Sequence, residues 1–266
     1  MAVDNSFIIR KIQSRTSMYV AYCAFTGMPL LVQDPETFND QVWIFQTEKL
    51  LQEFAKEYTA KKLLLRGVQY KNKDFLRFYS SLFTMGVNEV VFVNEGEGNK
   101  LCVDLRSIVR EPDYSKLKPE QRPVLNPNLQ LTGIYFMQEA ARQVPTEEKE
   151  DLQDLEEEFA ANLMKAKYMM AVEIENGPGT LADKLKEHKY KLPILKDKNG
   201  NVHQPLFTDP LEFQKFTKGK KMEAIQVPFA QLIRLLSPEA KGYMLNPAGF
   251  HILMPRELLE TLPKRF

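Results

Sequence analysis

The sequence predicts an α+β fold of two related mixed-sheet units with flanking helices, the pattern expected of an internal duplication. Three observations support this: short apolar runs alternate with segments of helical period, prolines cluster near the middle of the chain, and the apolar pattern before the cluster recurs after it. With 266 residues, 44% of them hydrophobic, the chain is long and apolar enough to bury such cores. We expect one unit over residues 1–110, a Pro-rich linker over 111–133 and a second unit over 134–266.

The first half alternates β-type runs with two amphipathic helices. Thr47 begins the first helix, because its hydroxyl can accept a hydrogen bond from an otherwise unpaired backbone N–H, and apolar residues then recur at helical spacing as far as Tyr58. The second helix ends near Gly86, which tolerates the left-handed turn that closes a helix. The predicted strands cover residues 18–25, 42–45, 62–65, 90–93 and 101–105.

The middle of the chain changes composition. Four prolines lie among polar residues over 111–128, and proline both fixes φ and removes a backbone donor, so an irregular linker is expected. A helix is predicted over 134–144. A further helix begins at residues 145–148, where its acids suit the positive end of the helix dipole, and continues through Met164.

The second half is predicted to return to strands. Residues 168–174 form one strand, which Asn176 and Gly177 end in a turn. Residues 191–196 and 202–207 flank the turn sequence at 197–201, so a β-hairpin is expected there.

The two halves share an ordered series of elements. At one offset, residues 43–47 fall on 205–209, and the strand 63–65 falls on 225–227. After a drift of several residues in that offset, the strands that end at Asn94 and Asn246 also coincide, and each asparagine precedes a turn. Such ordered agreement predicts an internal repeat. The halves either pack on one another or act as separate units on the linker, and the aromatic content favours packing.

Two blocks carry a resemblance to a known family. The blocks are Phe207-Thr-Asp209 and Leu245-Asn-Pro-Ala-Gly249, and the similarity extends over residues 156–262. This stretch resembles the N-terminal domain of the SseB (enhanced serine sensitivity) family, and the first half resembles it weakly through residues 45–47 and 94–96. The resemblance implies an α+β domain in a family with no securely assigned activity, and it transfers no catalytic residues.

Composition excludes several partners. The 36 basic and 35 acidic residues give a net charge of +1, whereas a protein that grips nucleic acid carries a basic excess or stripe. No apolar run approaches the ~20 residues that span a bilayer. The polar N-terminus and the presence of only two cysteines favour a cytoplasmic protein that binds neither nucleic acid nor a membrane.

The sequence indicates no catalytic, cofactor-binding or metal-binding residue. Cys23 and Cys102 each lie in an apolar run of strand type, which predicts buried, structural thiols. The three histidines, His188, His203 and His251, lack the spacing of metal ligands.

A candidate partner or ligand surface lies around Asn246. Turn architecture explains Asn246, and a helix N-cap explains Asp209, whereas a shared groove for a peptide is the alternative. That surface would consist of Phe207, Thr208, Asp209, Asn246, Pro247, Gly249 and His251.

The sequence therefore favours a non-enzymatic binding or adaptor protein with a protein or peptide partner. The alternative is an enzyme that acts on a small molecule at the interface of the two halves. A deep pocket with two ionisable groups in contact would favour the enzyme, and a shallow mixed surface would favour the binding protein. The oligomeric state is not fixed by the sequence.

Overall fold

The protein has an α+β fold with two mixed β-sheets of six and seven strands, as a computed structural model shows. The structure describes residues 6–96, 100–174, 183, 187 and 190–266. The chain divides into two compact units. The first consists of Met1–Lys116 and Gln130–Glu156, and the second of Leu117–Leu129 and Glu157–Phe266.

Among its described residues, the first unit contains a six-stranded sheet, four complete helices and most of a fifth. Its elements are α1 (Ser6–Gln13), β1 (Ser17–Cys23), β2 (Leu31–Gln33), β3 (Asp40–Phe45), α2 (Glu48–Ala60), β4 (Leu65–Lys71), α3 (Asn72–Thr84), β5 (Glu89–Val93), β6 (Lys100–Asp104) and α4 (Leu105–Ile108). Helices α5 (Pro127–Ala140) and α6 (Leu152–Lys165) each have residues in both units.

The second unit contains a seven-stranded sheet and three further helices among the described residues. Its elements are β7 (Lys167–Ile174), β8 (Tyr190–Lys191), β9 (Leu195–Lys196), β10 (Val202–Phe207), α7 (Pro210–Thr217), β11 (Glu223–Pro228), α8 (Phe229–Leu235), β12 (Ala240–Leu245), β13 (Ile252–Pro255) and α9 (Arg256–Arg265). Strands β9 and β10 are antiparallel, which confirms the predicted hairpin.

The two sheets share one strand order. The first runs β4-β1-β3-β5-β6 and the second runs β11-β7-β10-β12-β13. In each, the pair between the third and fourth strands is parallel and the other three pairs are antiparallel. The short strand before the third strand also pairs antiparallel with it in both units. This agreement supports an internal duplication, which stays a prediction.

Side-chain alternation along β1 places helices on both faces of the first sheet. Residues 19, 21 and 23 point to one face and residues 18, 20 and 22 to the other. On the first face, Leu51 of α2 packs in a core cluster with Ala21 and Phe45. On the second face, the Tyr79 hydroxyl of α3 lies 3.2 Å from the sulfur of Met18. The sheet is therefore buried on both sides in its centre.

The structure corrects several predicted segments. The strand predicted over 62–65 begins only at Leu65 and extends to Lys71. Helix α5 begins at Pro127, so residues 127–133 of the expected linker are helical, because proline suits the first turn of a helix, where its missing N–H is not needed. The helix predicted from residue 145 is interrupted. A short 3₁₀ turn covers Thr146–Glu148, and Asp151 takes a φ of 51° before α6 begins.

The domain division from sequence stays a prediction. The compact units place Gln130–Glu156 with the first unit, whereas the prediction assigns residues 134–156 to the second. The turn expected at Asn176 and Gly177 lies outside the described residues. No helix in the described part of the chain combines the length and the apolar character that crossing a membrane requires.

Candidate functional site

Asn246 and Thr208 meet at the carboxyl ends of two neighbouring parallel strands, β12 and β10. The Asn246 Oδ1 accepts a hydrogen bond from the Thr208 backbone N–H at 3.0 Å, and its Nδ2 donates to the Thr208 Oγ1 at 2.8 Å. The Thr208 hydroxyl in turn donates to the Asp209 Oδ2 at 2.7 Å. We call these three residues the polar hub; a continuous series of buried hydrogen bonds links them.

Asp209 links the polar hub to helix α7. Its Oδ1 accepts from the backbone N–H groups of Leu211 at 2.8 Å and Glu212 at 3.1 Å, which would otherwise lack partners at a helix start. Pro210 occupies the first turn, where no donor is needed. The predicted N-cap is confirmed.

The turn after β12 is built on the backbone of Asn246. Its carbonyl accepts from the N–H groups of Gly249 at 2.8 Å and His251 at 3.1 Å, and its φ is 47°. The left-handed positions in this turn are Asn246 and His251, and Gly249 is not among them. Gly249 is needed for space, because a Cβ there would lie 2.5 Å from the Glu212 Oε2.

Burial narrows the partner surface expected from the sequence. Phe207, Thr208, Asp209 and Asn246 are no more than 1% exposed, so they cannot line an open groove in this conformation. Pro247 and Gly249 are half-buried, and only His251 is exposed. The partner surface stays a prediction for these last three residues.

Two residues that sequence reasoning missed support the polar hub. The Asn126 Nδ2 donates to the backbone oxygens of Lys167 and Thr208, both at 2.7 Å. Glu212 is 3% exposed, with its Oε1 2.5 Å from the Lys215 Nζ and its Oε2 without a hydrogen-bond partner. Burial raises the pKa of the Glu212 carboxyl. An Asn-Pro step at 126 was the signal for the first, and no sequence signal marked the second.

The first unit holds a pocket of about 260 Å³. Its walls include Tyr58, Tyr135 and an ion pair in which the Arg142 Nη1 lies 2.7 Å from the Glu139 Oε1. The Arg142 Nε also donates to the backbone oxygen of Lys61 at 3.0 Å. Arginine does not lose its proton in proteins, so Arg142 cannot act as an acid or base here. Its contacts with Glu139 and Lys61 fix the wall of the pocket. Burial raises the pKa of Tyr58 to about 12, so its hydroxyl stays protonated at neutral pH.

The cysteines differ from each other. Cys23 is fully buried, as predicted, but Cys102 is exposed. In β6 the alternation turns Val103 inward and Cys102 outward, and a strand-like apolar run does not reveal which face is covered. Partial burial and the nearby Glu89 raise the pKa of Cys102, so its thiol stays protonated at neutral pH.

The histidines are separate from one another. The Nε2 of buried His203 lies 3.5 Å from the Asp197 Oδ2, while His251 is exposed and His188 lies outside the described residues. In the part of the chain that the structure describes, no group of three or more His, Cys, Asp or Glu residues is placed to hold a metal ion.

Comparisons with known proteins give one family match. Residues 146–261 match the SseB protein N-terminal domain. No curated protein matches the sequence significantly.

Two solved structures show a distant likeness. "Anabaena Tic22 (protein transport)" is 11% identical over 83% of this chain and 80% of that chain, with a TM-score of 0.22. "Tic22 from Plasmodium falciparum" is 12% identical over 97% and 96%, with a TM-score of 0.21. Likeness this low supports no inference about the role of this chain.

The family match covers both blocks that carry the sequence resemblance, around Phe207 and around Asn246. The weaker resemblance of the first half stays a prediction. Residues 146–261 of this chain are therefore similar to the SseB protein N-terminal domain.

Proposed function

We propose that this chain is a non-enzymatic binding or adaptor protein, and that a protein partner contacts its first unit. The observation that carries the proposal is a corner patch, defined as Phe25, Leu64 and Arg66. Phe25 is 67% exposed and Leu64 is 64% exposed. The two lie together because the Ala24 N–H donates to the Leu64 carbonyl at 3.0 Å.

The chemistry of the corner patch suits a protein partner. Aromatic and arginine side chains are enriched at protein interfaces, because each offers a large contact area, and arginine adds directed hydrogen-bond donors. Arg66 is positioned before any partner arrives, since its guanidinium lies 5.8 Å over the Tyr22 ring. Burial of the two apolar side chains supplies roughly 25 cal/mol for each Å² removed from water.

A cytoplasmic location is part of the proposal. Both cysteines, Cys23 and Cys102, are free thiols. Free thiols persist in reducing compartments, and the exposed Cys102 would be open to oxidation elsewhere.

Site-specific photocrosslinking in the native host tests the proposal. A benzoylphenylalanine at position 25 is expected to form an adduct with a discrete protein. The same replacement at Phe38, which is 70% exposed in the same unit, is the matched control and is expected to form none. The substitution Phe25→Asp should abolish an adduct formed from position 64. Equal adducts at positions 25 and 38, or none at 25, would contradict the proposal.

A further inference from the structure

Strand β4 forms an open edge of the first sheet. It pairs with β1 through all seven residues, and no described strand pairs with its other side. The Ala24 N–H donates to the Leu64 carbonyl, and the Asn72 N–H donates to the Thr16 carbonyl. These two hydrogen bonds fix which backbone groups of β4 bond to β1. In an antiparallel ladder this direction alternates, so even-numbered residues of β4 bond inward. The backbone groups of Leu65, Gly67, Gln69 and Lys71 therefore point outward.

The opposite edge of β1 confirms this alternation. There the Leu30 N–H donates to the carbonyl of Ala21, and the Cys23 N–H donates to Met28, at 2.9 and 3.0 Å. The backbone N–H and C=O groups of odd-numbered β1 residues thus point away from β4, and those of even-numbered residues point towards it. The free groups of β4 are spaced as a further strand requires.

The other edges of this sheet are either closed by a side chain or shorter than β4. The outer side of β2 is closed by Gln138, whose side-chain amide accepts from the Leu31 N–H at 2.9 Å and donates to the Leu31 carbonyl at 3.0 Å. Strand β6 has five residues and leads directly into helix α4. Strand β4 is the longest edge of the sheet among the described residues.

Charge identifies the occupant of this edge. Arg66 and Lys71 are exposed on β4, and no carboxylate in the described residues lies within 4.0 Å of either. A second copy of the chain would bring the same positive groups to the edge. An acidic segment instead pairs its carboxylates with them. The corner patch lies at the first residues of the strand and suits an apolar residue at one end of that segment.

We propose that β4 binds an extended acidic segment of a protein partner as an added strand, an inference that rests on the proposed function and specifies how the partner is held. Main-chain hydrogen bonds to the outward groups of Leu65, Gly67, Gln69 and Lys71 hold the segment. Acidic side chains next to Arg66 and Lys71 select it, and the corner patch anchors its end.

The test uses the full chain and a synthetic nine-residue peptide in which pairs of glutamates alternate with pairs of valines. Because Arg66 and Lys71 point to opposite faces of the sheet, this order gives the added strand carboxylates on both faces. Residue-resolved hydrogen exchange is measured with and without the peptide. At nine-tenths occupancy, exchange of the N–H groups of Leu65, Gly67, Gln69 and Lys71 should slow about tenfold, because only the free fraction exchanges. The inward N–H groups of Val68 and Tyr70 should change little, since they already bond to β1.

Variants separate main-chain pairing from side-chain contact. Gln69→Pro removes an outward donor without touching the ladder to β1, and should weaken peptide binding about tenfold. Gln69→Ala keeps that donor and is the matched control, expected to bind within about twofold of the wild type. If Gln69→Pro fails to fold, a peptide N-methylated on the face that meets β4 gives the same information with the wild-type protein.

The result that overturns strand addition is clear. Unchanged exchange at the four outward N–H groups, or equal binding of the N-methylated peptide, rules out main-chain pairing. Equal binding of a lysine-for-glutamate peptide rules out the acidic occupant. Protection of the same groups by a second copy, in the absence of peptide, also overturns the proposal. Any of these leaves the crosslinking result at Phe25 intact, so failure of the strand is distinguishable from failure of the proposed function.

Discussion

The two units place an asparagine at the same point of the same strand order, and only one of the two is satisfied. Asn246 follows β12 and fills both ends of its amide with hydrogen bonds to Thr208. Asn94 follows β5 and is also buried, yet its Oδ1 has no partner. The difference lies in the facing strand end, where Thr208 and Asp209 in the second unit correspond to Gln46 and Thr47 in the first.

This contrast shows that a strand order can persist while the polar contacts at its ends change. Strand pairing depends on backbone groups, which every residue supplies. The polar hub depends on three particular side chains, and replacement of any one of them breaks its series of hydrogen bonds. Shared topology is therefore no evidence that the two units have a common task.

Replacing each asparagine in turn tests this contrast, and we expect it to give the largest change in the free energy of unfolding. Asn246→Ala leaves the buried Thr208 N–H unpaired, removes the hydrogen bond that the Thr208 hydroxyl accepts, and places alanine at a left-handed φ, so the free energy of unfolding should fall by about 3 kcal/mol or more. Asn94→Ala should change it by less than about 1 kcal/mol, because its Oδ1 bonds nothing. Urea denaturation followed by circular dichroism measures both. Similar losses would mean that Asn94 has a structural role that its contacts do not show.

The two helix N-caps give the next comparison. Asp209 accepts two backbone N–H groups and the Thr208 hydroxyl through buried or partly buried hydrogen bonds, whereas Thr47 accepts the Leu50 N–H alone at 3.4 Å. Asp209→Ala should therefore cost about 2–3 kcal/mol and Thr47→Ala about 0.5–1 kcal/mol. Thermal denaturation of the two variants measures the difference. A larger loss for Thr47→Ala would break the comparison.

Gly249 gives a smaller, purely steric effect. Gly249→Ala should destabilise the protein by about 1–3 kcal/mol, because the new methyl group meets the Glu212 carboxylate. The double variant Gly249→Ala with Glu212→Ala should lose less than the sum of the single variants, since the obstacle is gone. The free energies of unfolding of all four proteins test this coupling. Additive losses would show that backbone conformation, rather than contact, requires glycine.

The smallest expected effect is a pH dependence of the second unit. Burial raises the pKa of Glu212 above its usual 4.5, so the folded protein binds this proton more tightly than the unfolded chain. Its contribution favours folding in acid and is lost as the pH rises from 4.5 through the folded pKa. The stability of the wild type relative to Glu212→Gln should thus decline as pH increases over that window. Denaturation midpoints at several pH values measure it, and an opposite slope would contradict the raised pKa.

Much of the fold was predictable because local signals agreed with it. The hairpin at β9 and β10 and the N-caps at Thr47 and Asp209 follow from local backbone chemistry, which a sequence shows directly. Burial was predictable only where both faces of a strand are covered, as for Cys23. Cys102 was misjudged because coverage of a face depends on distant helices.

The polar hub was only half visible in the sequence. Thr208, Asp209 and Asn246 stood out as turn and cap residues, but their mutual contact depends on the parallel pairing of β10 and β12. Glu212 was missed because a carboxylate on a helix is usually exposed. Its burial follows from the approach of Gly249, more than thirty residues later in the chain.

One side chain imitates a strand. By accepting from and donating to the same backbone residue, the Gln138 amide occupies the bonding positions that a neighbouring peptide unit would take at Leu31. A single glutamine of helix α5 therefore prevents a further strand from pairing with β2 at Leu31. We expect truncation of that glutamine to expose a further open strand edge, at which another chain could pair.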